Sequence, residues 1–144
     1  MEVKIKKIKE DAIIPTRGSE LAAGYDLYAC CDEIIIIDPY KTEKIGTGLA
    51  IQPPKGYFGA IFARSGLATK NGLRPANCVG VCDEDYTGEY IVALHNDSSS
   101  IRAIKPGDRM AQLVFLPYIT VDFDEVDEIN KTERGSGGFG RKGR

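Results

Sequence analysis

Short apolar runs separated by turn residues recur along this chain, and they break off before reaching the length of an ordinary helix. At the N-terminus lysines alternate with Val3, Ile5 and Ile8, a pattern suited to a half-buried strand. Strands are expected at 3–8, at the isoleucine run 34–37, and at 44–51, 57–63, 89–94, 111–116 and 121–126. Turns at Pro53-Pro54-Lys55-Gly56 and Pro106-Gly107-Asp108 separate several of them, because proline presets φ and glycine accepts positive φ. Only SGLATKN at 65–71 reads as a helix, with Ser65 as its N-cap and Gly72 as its stop. The fold class that follows is all-β, a jelly-roll-like β-barrel or sandwich with one short helix.

With 144 residues, 42% of them hydrophobic, the chain can bury one core and is too short for two ordinary domains. The last third changes character. The acidic stretch DFDEVDE at 122–128 gives way to a glycine-rich tail carrying Lys131, Arg134, Arg141, Lys142 and Arg144. The expected division is therefore a β domain at 1–130 and a flexible tail at 131–144, which lacks the apolar surface to order itself.

A formal net charge of −2 removes any global basic field, so stable nucleic-acid or membrane binding is not expected and phosphate chemistry must use local positive charge. No apolar run reaches the length of a membrane span or a signal core, which points to a soluble intracellular protein, cytoplasmic, or nuclear in a eukaryote. Cys30, Cys31, Cys78 and Cys82 form no CxxC pair, so structural zinc is not expected. A single histidine, His95, excludes HExxH hydrolysis and the zinc deaminase pattern; it sits in an expected strand, facing solvent or a neighbouring side chain.

Five segments combine residues suited to chemistry. In the tail, Gly135, Gly137 and Gly140 satisfy GxGxxG, but only four residues follow, so the strand–turn–helix context of a dinucleotide fingerprint is missing. Two readings stand: a solubilising end, or a flexible backbone that offers N–H groups to phosphate while Arg134 adds a bidentate contact and Phe139 covers a planar base. Arg64, Ser65 and Gly66 open the one helix, where anions bind, although such a turn is also an ordinary helix start. NCVGVCDEDYTG at 77–88 is either a surface turn or a hairpin whose backbone reads a flat base while Asp83 and Tyr86 face the sugar and phosphates. Gln112 interrupts an apolar strand as a structural bridge or a ligand contact. Asp26 lies between apolar neighbours, facing a metal's water shell or capping a turn.

In order and identity these segments resemble the five motifs of the trimeric dUTPase family: AAGYDLYA at 22–29, RSGLA at 64–68, NCVGVCDEDYTG at 77–88, GDRMAQL at 107–113 and RGSGGFG at 134–140. The resemblance implies a jelly-roll-like homotrimer whose active sites lie at subunit interfaces, each closed by a neighbour's tail. It implies hydrolysis of dUTP to dUMP and pyrophosphate, which limits uracil incorporation into DNA and supplies dUMP for thymidylate synthesis. By matching position, Asp83 would activate the water that attacks the α-phosphorus and touch the 3′-hydroxyl. Tyr86 would pack beneath the sugar, and Asn77 with the backbone of Gly80, Val81, Cys82 and Asp83 would read uracil. Arg64, Ser65, Gly66 and Gln112 would hold phosphates, supported by Arg109. Arg134 would meet the γ-phosphate, and Phe139, beside Gly140, would stack over uracil. Mg²⁺ is the implied cofactor, held mainly by phosphates and water, with Asp26 ordering that water.

Two departures stand out. The family often has Ile or Val at position 82, and its tail usually continues with a hydroxyl residue where this chain has Arg141-Lys142. Three rival readings are a dCTP deaminase, usually longer and with another site pattern, a regulatory protein that keeps the fold, and an RGG-like single-strand binder.

Overall fold

A computed structural model describes residues 1–140 of the chain. Eleven strands and one helix follow in order: β1 (Lys4–Lys7), β2 (Thr16–Arg17), β3 (Tyr25–Tyr28), β4 (Ile35–Ile37), β5 (Thr42–Gln52), β6 (Tyr57–Phe62), α1 (Ser65–Asn71), β7 (Leu73–Pro75), β8 (Gly80–Cys82), β9 (Glu89–Asn96), β10 (Arg102–Ile104) and β11 (Arg109–Pro117). They form a four-stranded sheet, β1-β5-β9-β7, a five-stranded sheet, β2-β3-β11-β6-β8, and a ribbon of β10 with β4. The arrangement is jelly-roll-like but does not close into a barrel.

The alternation seen in sequence decides which way each strand faces. Along β9, Tyr90, Val92, Leu94 and Asn96 are buried, whereas Ile91 between them is exposed. These residues meet Ile45, Leu49 and Ile51 of β5 and, from the five-stranded sheet, Leu27, Ile61, Ala111 and Leu113. Thr47 and Asn96, buried polar side chains among the described residues, are both satisfied. Thr47 donates from Oγ1 to the Tyr90 carbonyl at 2.7 Å, across a register shift in the β5–β9 pairing. Asn96 donates from Nδ2 to the carbonyls of Ile37 (2.9 Å) and Ser100 (2.8 Å), so one amide joins β4, β9 and the following loop.

Both proline–glycine turns form as expected, with Gly56 at φ +82° and Gly107 at φ +83°. The helix covers the expected residues and stops at Gly72, whose φ of +68° needs no Cβ to be accommodated. Its N-cap, however, is Arg64 and not Ser65, and no side chain caps it. Sequence 121–126 forms no strand: β11 ends at Pro117 and residues 118–140 carry neither helix nor strand. Alternation alone does not make a strand where no sheet edge or core face is offered to it, and Val121 and Phe123 remain exposed. Strands β2, β3, β7, β8 and β10 are two to four residues long, too short for alternation to register in sequence. Among the described residues no helix is long and apolar enough to cross a membrane.

Candidate functional site

The segment 77–88 does not fold back on itself as a hairpin. Its strand β8 pairs with β6, matching Gly80 to Ile61, Val81 to Ala60 and Cys82 to Gly59. Because β8 is the last strand of its sheet, its backbone N–H and C=O groups on the outer side have no strand partner. Beside this open edge lies a cavity of about 210 Å³ lined by Asn77, Gly80, Val81, Cys82, Asp83 and Tyr86, with Tyr90 and Val92 among the residues behind them. Six of the residues singled out in sequence thus converge on one pocket.

The pocket has a rigid wall. Tyr86 donates its hydroxyl to the Glu89 carbonyl at 2.9 Å, and its ring centre lies 6.2 Å from that of buried Tyr90. Gly88 allows this posture, since a Cβ there would run into the Tyr86 phenol. Tyr86 is 43% exposed, which leaves part of it available to a ligand. Burial pushes the Cys82 thiol up to about 11, so it stays protonated and unreactive at neutral pH. The Tyr90 hydroxyl, buried with no hydrogen-bond partner among the described residues, lies beside that weakly polar thiol.

Asp83 is exposed and lines both this cavity and a larger cleft of about 1000 Å³, which also contains Lys4, Lys55, Glu84 and Tyr118. Among the described residues its carboxylate meets no hydrogen-bond donor, so the oxygens are available to water or substrate.

A second cluster forms at the other end of β6. Arg64 donates from Nε to Asp26 Oδ1 at 3.0 Å and from Nη1 to the Arg109 carbonyl at 3.4 Å, and Arg109 Nη1 lies 3.7 Å from Asp26 Oδ2. Asp26 is therefore engaged by arginine. Gln112 sits between Asp26 and Phe62 in the sheet register and donates from Nε2 to the Ala63 carbonyl at 2.8 Å, so the nitrogen end of its amide bridges β11 to the residue after β6. Gly24 permits that placement, because a side chain there would strike the Gln112 amide oxygen. Ser65 and Gly66 are exposed on the first turn of α1, whose leading N–H groups have no partner within the helix. A Cβ at Gly66 would meet nothing within 4 Å, so the protein's own packing does not require glycine there.

The two clusters lie apart in one protomer. Asp83 follows the Cys82–Gly59 pair and so lies beside Phe58, whereas Arg64 follows Phe62. Six residues of extended chain come to about 20 Å.

Arg134 Nε donates to the Gly137 carbonyl at 2.8 Å, Phe139 is fully exposed at φ +37°, and Gly140 has φ +90°. Arg141 and Lys142 lie outside the described residues. His95 bridges Thr42 (Nδ1 to Oγ1, 2.8 Å) and Asp97 (Nε2 to Oδ1, 3.3 Å).

The chain matches the dUTPase family over residues 10–143. A deoxyuridine 5'-triphosphate nucleotidohydrolase of Desulfitobacterium hafniense is 47% identical to it, spanning 99% of this chain and 97% of its own. One of Nautilia profundicola is 44% identical over the full length of both. A solved structure of the Staphylococcus bacteriophage 80alpha dUTPase G164S mutant with dUpNHpp superposes with a TM-score of 0.85 at 26% identity, covering 99% of each chain. Similarity of this extent, carried by sequence and by fold, shows that the chain belongs to the dUTPase family.

Proposed function

We propose that this protein hydrolyses dUTP to dUMP and pyrophosphate, and the observation that carries the reading is the pocket at the open edge of β8 with Asp83 at its rim. Uracil presents a flat edge of alternating acceptors and a donor. The outer backbone of Gly80, Val81 and Cys82, with the Asn77 amide, offers a matching set on a strand fixed by β6. Cytosine would leave buried groups mismatched, and a site built around such hydrogen bonds rejects the wrong analogue by roughly 10⁴-fold. Tyr86 supports the deoxyribose from below, where a 2′-hydroxyl would collide with the ring.

The chemistry is attack of water on the α-phosphorus. The Asp83 carboxylate orients a water and takes its proton while a P–O bond forms at the α-phosphorus and the bond to the β-phosphate oxygen breaks, releasing pyrophosphate. Ser65 and Gly66, with Arg64 and Gln112, hold the phosphates, Gly66 leaving room for close approach to its backbone. Arg109 supports Arg64 and Asp26.

Mg²⁺ fits these residues as an ion that enters on the triphosphate. Among the described residues no three His, Cys, Asp or Glu side chains converge, and Mg²⁺ characteristically keeps waters and substrate phosphates as ligands. Bound there it would neutralise developing phosphate charge. Asp26 would accept a hydrogen bond from one of its waters while remaining paired to Arg64.

The site is shared between copies in a homotrimer. With Asp83 and Arg64 about 20 Å apart along the sheet, one protomer cannot bring both to one triphosphate, so Arg64, Ser65, Gly66 and Gln112 come from a neighbour. The segment after β11 supports the same assembly: Ile119, Phe123 and Ile129 are each at least 87% exposed in the isolated chain, apolar surface suited to a partner. The domain at 1–130 thus extends an arm from which the tail at 131–144 closes a neighbouring site, Arg134 meeting the γ-phosphate and Phe139, next to Gly140, stacking on uracil. The reaction belongs to the intracellular nucleotide pool.

Pyrophosphate release from dUTP, dTTP, dCTP and UTP with Mg²⁺ tests the reading, alongside sedimentation. Selective dUTP turnover by a species of three times the 15.7 kDa protomer is expected. A folded protein that is inert to dUTP, or one that is active as a single protomer, would sink the respective half.

A further inference from the structure

Asp83 has a carboxylate with no side chain to steer it, so its aim must come from the backbone on either side. On the N-terminal side β8 is pinned by β6. On the C-terminal side the next residue, half-buried Glu84, reaches away from the pocket, and its Oε2 accepts two hydrogen bonds: from the Gly56 backbone N–H at 2.8 Å and from the Tyr118 hydroxyl. Tyr118 is itself fixed. Its backbone N–H donates to the Gly56 carbonyl at 3.1 Å, and its ring meets that of Phe58 edge to face with centres 6.5 Å apart. Gly56 belongs to the turn between β5 and β6, and Tyr118 is the first residue after β11. One carboxylate oxygen therefore joins three segments that are far apart in sequence, next to the proposed base.

We infer that Glu84 is a positioning residue, and that its bond to Tyr118 ties the aim of Asp83 to the root of the C-terminal arm. The inference rests on the dUTP-hydrolysing reading above. A loose Glu84 would let the Asp83 backbone swing between the small pocket and the large cleft that it also lines. Substrate would still bind through Asn77, β8 and Tyr86, but the attacking water would be misaligned. Any strain that closure of the tail puts on residue 118 reaches this protomer's own Asp83 through the same bond. The Tyr118 hydroxyl and then the Gly56 amide hold the Glu84 carboxyl below its ordinary value, so the charged form that accepts both bonds persists at neutral pH.

The test is steady-state hydrolysis of dUTP by the full chain carrying Tyr118→Phe, Glu84→Gln or both, with kcat expressed per site that binds a non-hydrolysable dUTP analogue. Each single change is expected to lower kcat about tenfold while KM moves less than about twofold, the signature of a catalytic group displaced by a fraction of an ångström. The double variant should be no slower than the worse single one, because both remove one connection. Amide exchange at 83–86 should quicken in Tyr118→Phe with no substrate present. An unchanged kcat per binding site, or losses that simply multiply, would overturn the tie. Those outcomes are separable from failure of the underlying reading, in which the unsubstituted chain itself would show no dUTP turnover dependent on Asp83.

Discussion

The edge of β8 and the segment beyond β11 both carry residues suited to chemistry, yet the chain treats them in opposite ways. At the edge, Gly80 is buried, Tyr90 is fully buried behind Tyr86, and pairing with β6 holds the strand in register. In the segment at 118–140, Phe123 and Phe139 lie essentially uncovered and no strand or helix forms. The difference suits the two jobs proposed for them. Discrimination between bases needs donors and acceptors held to fractions of an ångström, which a packed strand supplies at no further ordering cost. Closure needs a segment that can leave, so its order must be supplied by ligand or neighbour.

Substitutions at each end measure how far this separation goes. Asp83→Asn keeps the shape of the edge and removes the proposed base, so kcat for dUTP should fall about 10³-fold with analogue binding retained. Comparable hydrolysis by Asp83→Asn would remove the edge from the chemistry altogether. Ending the chain at Lys131 should lower kcat/KM about 10²-fold through lost contacts and an open site, while the thermal midpoint barely moves. A large drop in the midpoint would mean that the tail belongs to the core. Arg64→Lys tests the second cluster. Lysine cannot hold Asp26 and a phosphate with one planar group, and a loss of about tenfold in kcat/KM is expected, carried mostly by KM. If Arg64→Lys behaves like the parent protein, the phosphates are held elsewhere.

The sequence disclosed these two regions unequally. The longer strands, both proline–glycine turns and the helix at 65–71 were legible, because alternation and turn chemistry act locally. Cooperation between Asn77, Gly80, Asp83 and Tyr86 was legible as a motif, but its geometry was not: β8 is three residues long, and its partner is β6 instead of its own sequence neighbour. The Arg64–Asp26 pair joins residues 38 apart, and the Glu84–Tyr118 bond joins residues 34 apart. No periodicity encodes such contacts, which arise only when β3, β6 and β11 lie side by side. The strand expected at 121–126 failed for the complementary reason: the pattern was present, but no described strand pairs with it.

Cys82 offers the finest probe of the rigid half, through stability and not through turnover. Burial raises its thiol from an ordinary 9.0 to about 11, a small contribution from Asp83 acts the same way, and contact with the Tyr90 hydroxyl opposes them. The folded state thus holds this proton more tightly than the unfolded state does. Its contribution is complete below about pH 9 and is lost as pH rises toward 11. Tyr90 is shifted in the same direction by burial, so it adds to the alkaline loss from its own ordinary value of 10.0 upward. Cys82→Val keeps the volume and removes one titration. Urea unfolding of the parent and of Cys82→Val, followed across this range, should show a shallower alkaline decline in the variant. Adding Tyr90→Phe should flatten the decline further. Parallel declines in all three proteins would mean that the edge admits water freely enough for the thiolate to form in place, and the contrast between a packed edge and an open arm would lose its physical basis.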